Sequence, residues 1–203
     1  RLNNRYLNDS LTLLNRNEKI RVVAGLTYAI KSDLTIEPFV EYSYSTNQAL
    51  FYHSVSDSTR FGLVYDSEGI GTTNFGATIR WLNNRSSLIA KMIISSYQTS
   101  ELDEAWYLPT TQLQVRYDQS IGKNIQLNVG LNVLQGIKAP APADGRVIEM
   151  PTVLDLSLGA DYQINDSWSL FGEVNNVVGS NYERYYNYPV RGIAAKAGLL
   201  FRF

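Results

Sequence analysis

Hydrophobic and polar residues alternate along most of this chain with a period of two. In "IQLNVGLNV", Ile125, Leu127, Val129, Leu131 and Val133 oppose Gln126, Asn128, Gly130 and Asn132. In "LDLSLGADYQI", Leu154, Leu156, Leu158, Ala160, Tyr162 and Ile164 oppose Asp155, Ser157, Gly159, Asp161 and Gln163. "NFGATIRW" and "QLQVRYD" repeat the pattern, and the last stretch places Ile193, Ala195, Ala197, Leu199, Phe201 and Phe203 on one side. Side chains on a strand point alternately to its two faces, so each stretch reads as a strand with one apolar and one polar face. No helical stripe exceeds two turns, and "NRYLNDSLTLL" is ambiguous between strand and helix.

About eleven strands follow from the pattern: 21–30, 34–45, 49–56, 59–66, 72–81, 87–98, 109–119, 124–136, 152–164, 168–176 and 193–203. The links include short ones, "KSD" (31–33), "SDS" (56–58), "NNRS" (83–86), "IGKN" (121–124) and "NDS" (165–167). Long ones carry "SYQTSELDEAWYLPT", "GIKAPAPADGRVIEMP" and "VVGSNYERYYNYPVRG". Tight turns at one end and long loops at the other describe an all-β, antiparallel, up-and-down transmembrane barrel of about 11–12 strands, alone or as part of a larger barrel. Residues 1–19 read as an N-terminal segment or partial strand, and 20–203 as barrel strands ending on Phe203. The last strand is expected to pair with the first, so that no edge remains.

Alternation alone does not separate a soluble barrel from a membrane barrel. Strands of about ten residues exceed the ~5–6 usual in soluble sheets and match a tilted bilayer crossing. Trp81, Tyr97, Tyr117, Tyr162, Trp168 and Phe203 sit near strand ends, where headgroups favour amphipathic rings. Eleven such strands would enclose a space too wide for one layer of side chains to fill. A membrane barrel is favoured, and a soluble ligand-binding barrel is the weaker reading.

Composition narrows the functional classes. With 18 basic and 19 acidic residues the net charge is -1, which offers no electrostatic footprint for nucleic acid. The chain has no cysteine, which excludes a disulfide scaffold and cysteine–zinc sites, and its one histidine is His53. With no nucleophile elbow, phosphate loop or acid–base pair, no catalytic, cofactor or metal residues are assigned, and an enzyme is not expected. No apolar run approaches the ~20 residues of a membrane helix. The opening "RLNNRYLNDS" is read as a mature start or a fragment.

The stretch 154–203 resembles the end of TonB-dependent receptors. The match rests on "VNN" (174–176), "NYERYYNYP" (181–189) and the terminal "FRF". "EAWYLP" (104–109) and "LVYD" (63–66) resemble receptor-like barrels of Bacteroidetes-type bacteria. The resemblance implies the outer membrane of a Gram-negative bacterium, uptake of a bulky nutrient, and a TonB system or other surface proteins as partners. The chain shows neither a plug domain nor a TonB-box segment. It is also short for a family whose barrels usually have 22 strands. A C-terminal half, a reduced relative, or a plug-less barrel serving as structural or assembly subunit of a surface complex are the readings left open.

Tyr182, Arg184, Tyr185, Tyr186, Tyr188 and Arg191 in loop 177–191, with Trp106, are the candidates for contact with a ligand or partner. The alternative is a loop packed on its own aromatics. Glu101, Asp103 and Glu104 read as a solvated acidic loop rather than a calcium loop, and "ADGRVIE" (143–149) likewise. Glu37, Glu41, Arg80, Lys91, Arg116, Asp118, Asp155, Asp161, Glu173, Lys196 and Arg202 are expected in the lumen, paired across strands. Residues 177–191 are expected outside the cell and 165–167 in the periplasm.

Overall fold

The computed structural model describes residues 17–53, 61–141, 146–190 and 192–203; for residues 52, 53 and 61 the backbone alone is described. The described residues form sixteen strands and no helix. Ten of these make one antiparallel sheet: β1 (Glu18–Gly25), β2 (Tyr28–Lys31), β3 (Leu34–Thr46), β6 (Ile70–Leu82), β7 (Ser86–Gln98), β8 (Thr111–Ile121), β9 (Ile125–Gln135), β12 (Val153–Gln163), β13 (Trp168–Asn175) and β16 (Ala194–Phe201). β1 and β2 pair with the two halves of β3 and act as one interrupted stave. The wall therefore has nine staves, each hydrogen-bonded to its sequence neighbour in the sheet. Six strands stand off the wall as hairpins: β4 (Ala49–His53) with β5 (Phe61–Tyr65), β10 (Lys138–Pro140) with β11 (Val147–Glu149), and β14 (Glu183–Tyr185) with β15 (Tyr188–Pro189).

Two of the eleven expected strands are thus placed differently. Of the expected strands 49–56 and 59–66, the described parts, 49–53 and 61–66, do not cross the wall. Ser45 pairs with Ile70 and Tyr44 with Gly71, so β3 meets β6 directly and the β4–β5 hairpin is an excursion between them. "SDS" (56–58) lies outside the described residues. His53 ends β4 on the same excursion, and its side chain is outside the described residues.

With this change the two ends separate cleanly. Links 32–33, 83–85, 122–124 and 164–167 lie at one end of the wall, and 47–69, 99–110, 136–152 and 176–193 at the other. Local chemistry makes the short turns. Asn83 Oδ1 accepts from the amides of Arg85 and Ser86, and Asn165 Oδ1 from those of Ser167 and Trp168. These are Asx turns, in which a side chain stands in for a backbone acceptor. Gly122 takes φ 64°, where a Cβ is disfavoured.

Register carries one face across the whole wall. Val40, Phe75, Ile94, Val115, Leu131, Leu156, Leu170 and Leu199 share the apolar face, and several stand exposed. Tyr28, Trp81, Tyr117, Tyr162, Trp168 and Phe201 ring the short-turn end of the same face, with Trp168 and Phe201 4.7 Å apart. Such a ring has the placement a headgroup girdle would need. Tyr97 does not join it: it falls on the polar face and its hydroxyl donates to the Pro109 carbonyl at 2.8 Å.

The opposite face is polar and internally paired. Arg21 bonds Glu41 at 2.6 Å, Arg80 bonds Glu37 at 3.1 Å, Arg116 bonds Asp118 at 2.9 Å and Lys196 bonds Glu173 at 2.9 Å. Three of the four pairs join different strands, as the mixed signs suggested. Two phenylalanines also lie on this face, each opposite a glycine: Phe39 across from Gly76 and Phe171 across from Gly198. A Cβ at Gly76 would come within 2.6 Å of the Phe39 ring and 2.7 Å of the Met92 carbonyl. The ring covers bare backbone that would otherwise weaken the strand, an aromatic rescue of glycine.

The wall has two free edges. Among the described residues β1 pairs only with β3 and β16 only with β13. The expected closure of last strand on first is not formed. Residues 1–16, most of the proposed N-terminal segment, lie outside the described residues, and β1 begins at Glu18.

Candidate functional site: a loop canopy over the polar face

The four long connections pack together instead of standing apart in solvent. Leu50 from the β4–β5 excursion, Ile70 at the start of β6, and Trp106 from the β7–β8 link form one buried cluster. Ile137 and Met150 from the β9–β12 link, with Ala139 and Val153, form a second, against which Tyr182 and Tyr186 pack. Tyr107 packs against both clusters. Its φ of 61° is uncommon for a bulky residue. Its amide donates to the Lys138 carbonyl at 2.8 Å, which holds that conformation in place.

Loop 177–191 owes its shape to a small hairpin. Asn187 turns it with φ 64°, and its amide donates to Glu183 Oε2 at 2.7 Å. The β14–β15 pair then sends its tyrosines in different directions. Tyr185 stacks edge-on between Phe51 at 5.5 Å and Tyr107 at 5.0 Å. Tyr182 donates its hydroxyl to Asp155 Oδ2 at 3.1 Å. Tyr186 is part-buried against the second cluster, Tyr188 is part-buried, and Arg184 is exposed. Arg191 lies outside the described residues. Trp106 is 7% exposed and sits inside the first cluster, so it builds the canopy rather than its surface.

Between this canopy and the wall lies a cavity of about 430 Å³. Asn132 and Leu134 of β9 and Val153 and Asp155 of β12 form its floor, all on the polar-face register. Tyr107, Pro109, Tyr182, Arg184, Tyr185 and Val190 form its roof and sides. The size falls in the ~300–1,000 Å³ range of small-molecule sites, and the mix of apolar lining with a few polar groups fits that class. Burial pushes the Tyr107 phenol up to about 12. Burial, followed by the Asp155 charge and hydrogen bond, raises Tyr182. Both rings stay neutral donors near neutral pH. Asn132 Oδ1 is buried and has no hydrogen-bond partner among the described residues.

The acidic loop does not converge on a point. Glu101 accepts from the amide and hydroxyl of Ser67, while Glu104 pairs with Lys138. Among the described residues no three carboxylates or histidines gather as a metal site would need. Residues 143–145 of "ADGRVIE" lie outside the described residues.

Three positions that shape the canopy and its cavity escaped the sequence reading. Asn132 looked like one more polar residue in an alternating strand, and Tyr107 like a neighbour of Trp106. Asp66 carried a signal in "DSEG": a carboxylate three residues before a glycine is an Asx-type turn. It proves fully buried, with Oδ1 accepting from Gly69 and Oδ2 from Ser100, Glu101 and Leu102.

No protein-family profile matches the sequence, and no curated protein does. Solved structures do match. The siderophore receptor PirA from Acinetobacter baumannii aligns with a TM-score of 0.70 at 10% identity, over 92% of this chain and 32% of that one. The ferric-catecholate import receptor Fiu from Escherichia coli K12 gives 0.68 at 12% identity, over 99% and 31%. The pyoverdine outer membrane receptor FpvA from Pseudomonas aeruginosa PAO1 gives 0.67 at 15% identity, over 98% and 31%. The chain spans about a third of the length of these proteins. The chain is folded as an arc of the outer-membrane barrel of TonB-dependent receptors, with their all-β, antiparallel architecture.

Proposed function

We propose that this chain works in the bacterial outer membrane as the barrel wall and mouth of an uptake receptor for a bulky nutrient. One observation carries the reading. A single apolar face with an aromatic girdle runs across nine staves, while the paired charges and the loop canopy occupy the other face and the far end. Such a wall is stable only with lipid on one side and water or protein on the other. The likeness to siderophore and catecholate receptors supports the receptor class. In this reading the canopy is where the nutrient first docks, and the paired polar face lines the path inward. Energy for passage would come from a TonB system acting on parts of the receptor other than this wall.

Expression in a Gram-negative host tests the membrane reading. The chain is expected in the outer-membrane fraction, resistant to alkaline carbonate and soluble only in detergent. Recovery as a monodisperse protein in plain buffer would overturn it.

A further inference from the structure

The apolar face of the wall is uneven. On β6 and β7 each alanine stands beside a larger residue, Ala77 beside Met92 and Ala90 beside Ile79. On the last staves that pattern breaks. Gly172 pairs with Ala160 on one side and Ala197 on the other, and Ala195 follows one row on. A Cβ added at Gly172 would meet nothing within 4 Å. The result is an apolar hollow of about 690 Å³ across β9, β12, β13 and β16, bordered by Leu127 and Leu158. Glu173 and Lys196 alternate with these positions, and their paired side chains belong to the opposite face.

A second feature lies toward the short turns. Trp168 sits two rows from Gly172 on the same stave, 4.7 Å from Phe201. Trp81, at the same end of the wall, donates its indole N–H to Asp33 Oδ2 at 3.0 Å. The Trp168 indole finds no acceptor among the described residues, where only its backbone amide is bonded. Four residues at ~3.4 Å each, tilted by roughly 40°, put the hollow about 10 Å inside Trp168. Half of a hydrocarbon core is about 15 Å thick, so one lipid of that leaflet spans both features. A hollow left unfilled forfeits dispersion contacts, and a flexible chain restores them.

An unpaired donor at headgroup height and an apolar hollow below it fit an amphiphile with an acceptor head and a hydrocarbon tail. We propose that the hollow holds one acyl chain of a phospholipid whose ester or phosphate oxygen accepts from Trp168 Nε1. This rests on the outer-membrane reading above and adds to it a defined lipid site beside the last stave.

The full 203-residue chain is reconstituted in vesicles of phosphatidylethanolamine and phosphatidylglycerol with added lipid A, extracted in an amine-oxide detergent, and weighed intact by native mass spectrometry. One phospholipid is expected to stay bound. Gly172→Leu combined with Ala197→Leu fills the hollow with side chains that lipid favours, and should cut the bound fraction about tenfold or more. Trp168→Phe keeps an aromatic ring and loses the donor, and should cut it about three- to tenfold. Ala90→Leu adds the same bulk elsewhere on the same face and should leave retention unchanged. Each variant is first shown to be heat-modifiable, so that lost folding is not read as lost binding. Equal retention in all variants, lipid A retained in place of phospholipid, or a protein dimer that the filled hollow abolishes would each overturn the phospholipid site. Failure of the native chain to enter the vesicles would instead sink the membrane reading.

Discussion

At the scale of single residues, Asp66 shows how a polar side chain organises a loop region. It is fully buried, where an unpaired carboxylate would be untenable, yet four backbone amides from two links converge on it. Burial pushes its acidity toward higher pKa, but the amides of Glu101, Ser100, Gly69 and Leu102 together outweigh it and hold the group below its usual value. The sign of the consequence follows from linkage. A depressed pKa means stabilisation that is complete above the unfolded value of about 3.9 and is lost as pH falls through the lower folded value. The tie between the β5–β6 and β7–β8 links should therefore be intact at pH 5 and loosen only under stronger acid. Asp66→Asn offers one acceptor oxygen where two served, so amides of the β7–β8 link lose their partner. Amide exchange at Ser100 to Leu102 should rise in the variant at pH 7 while exchange in β12 stays slow. Unchanged protection at those three amides would show that the carboxylate does not hold the link.

At the scale of elements, the controlling fact is which face meets lipid. Leu156 sits mid-strand on the apolar face opposite Leu131, and Asn128 sits mid-strand on the polar face opposite Asp118. A cation on the lipid face near the bilayer centre costs about 2–4 kcal/mol. On the polar face it stays hydrated and meets a carboxylate. Leu156→Arg should cut the yield of folded, heat-modifiable protein well below that of Asn128→Arg, and equal yields would reverse the facing. This much was legible in the sequence, because period two states the faces directly and the short-turn girdle follows from it. The β4–β5 hairpin was not. Residues 49–53 and 61–65 are rich in strand-forming apolar residues like any stave, and only the long-range pairing of Ser45 with Ile70 shows that they leave the wall. Tyr97 was misplaced for a related reason: its position near a strand end was visible, but the parity that turns it inward depends on the register of β7 against β6.

At the scale of the whole molecule, the wall sorts its connections by length, and that asymmetry orients it. The tyrosines of 182–188 stood out in the sequence, but the cavity they roof did not, because it exists only once three distant links fold onto the floor of β9 and β12. The same asymmetry predicts topology. In outer-membrane barrels the short turns face the periplasm and the long loops face the exterior. The link 164–167 is a side-chain-capped turn at the girdle end, and 176–193 carries its own hairpin at the canopy end. Asn181 and Asp166 are both exposed, so a cysteine at either should be reachable from its own side. Neither disturbs a cysteine background, since the native chain has none. Asn181→Cys is therefore expected to react with an impermeant maleimide on intact cells. Asp166→Cys should react only after the outer membrane is breached. The opposite pattern would invert the barrel, and equal labelling of both on intact cells would mean that the wall does not separate two compartments. That result would contradict the membrane reading at its root, because a nine-stave sheet with one predominantly apolar face would then have no lipid to meet it.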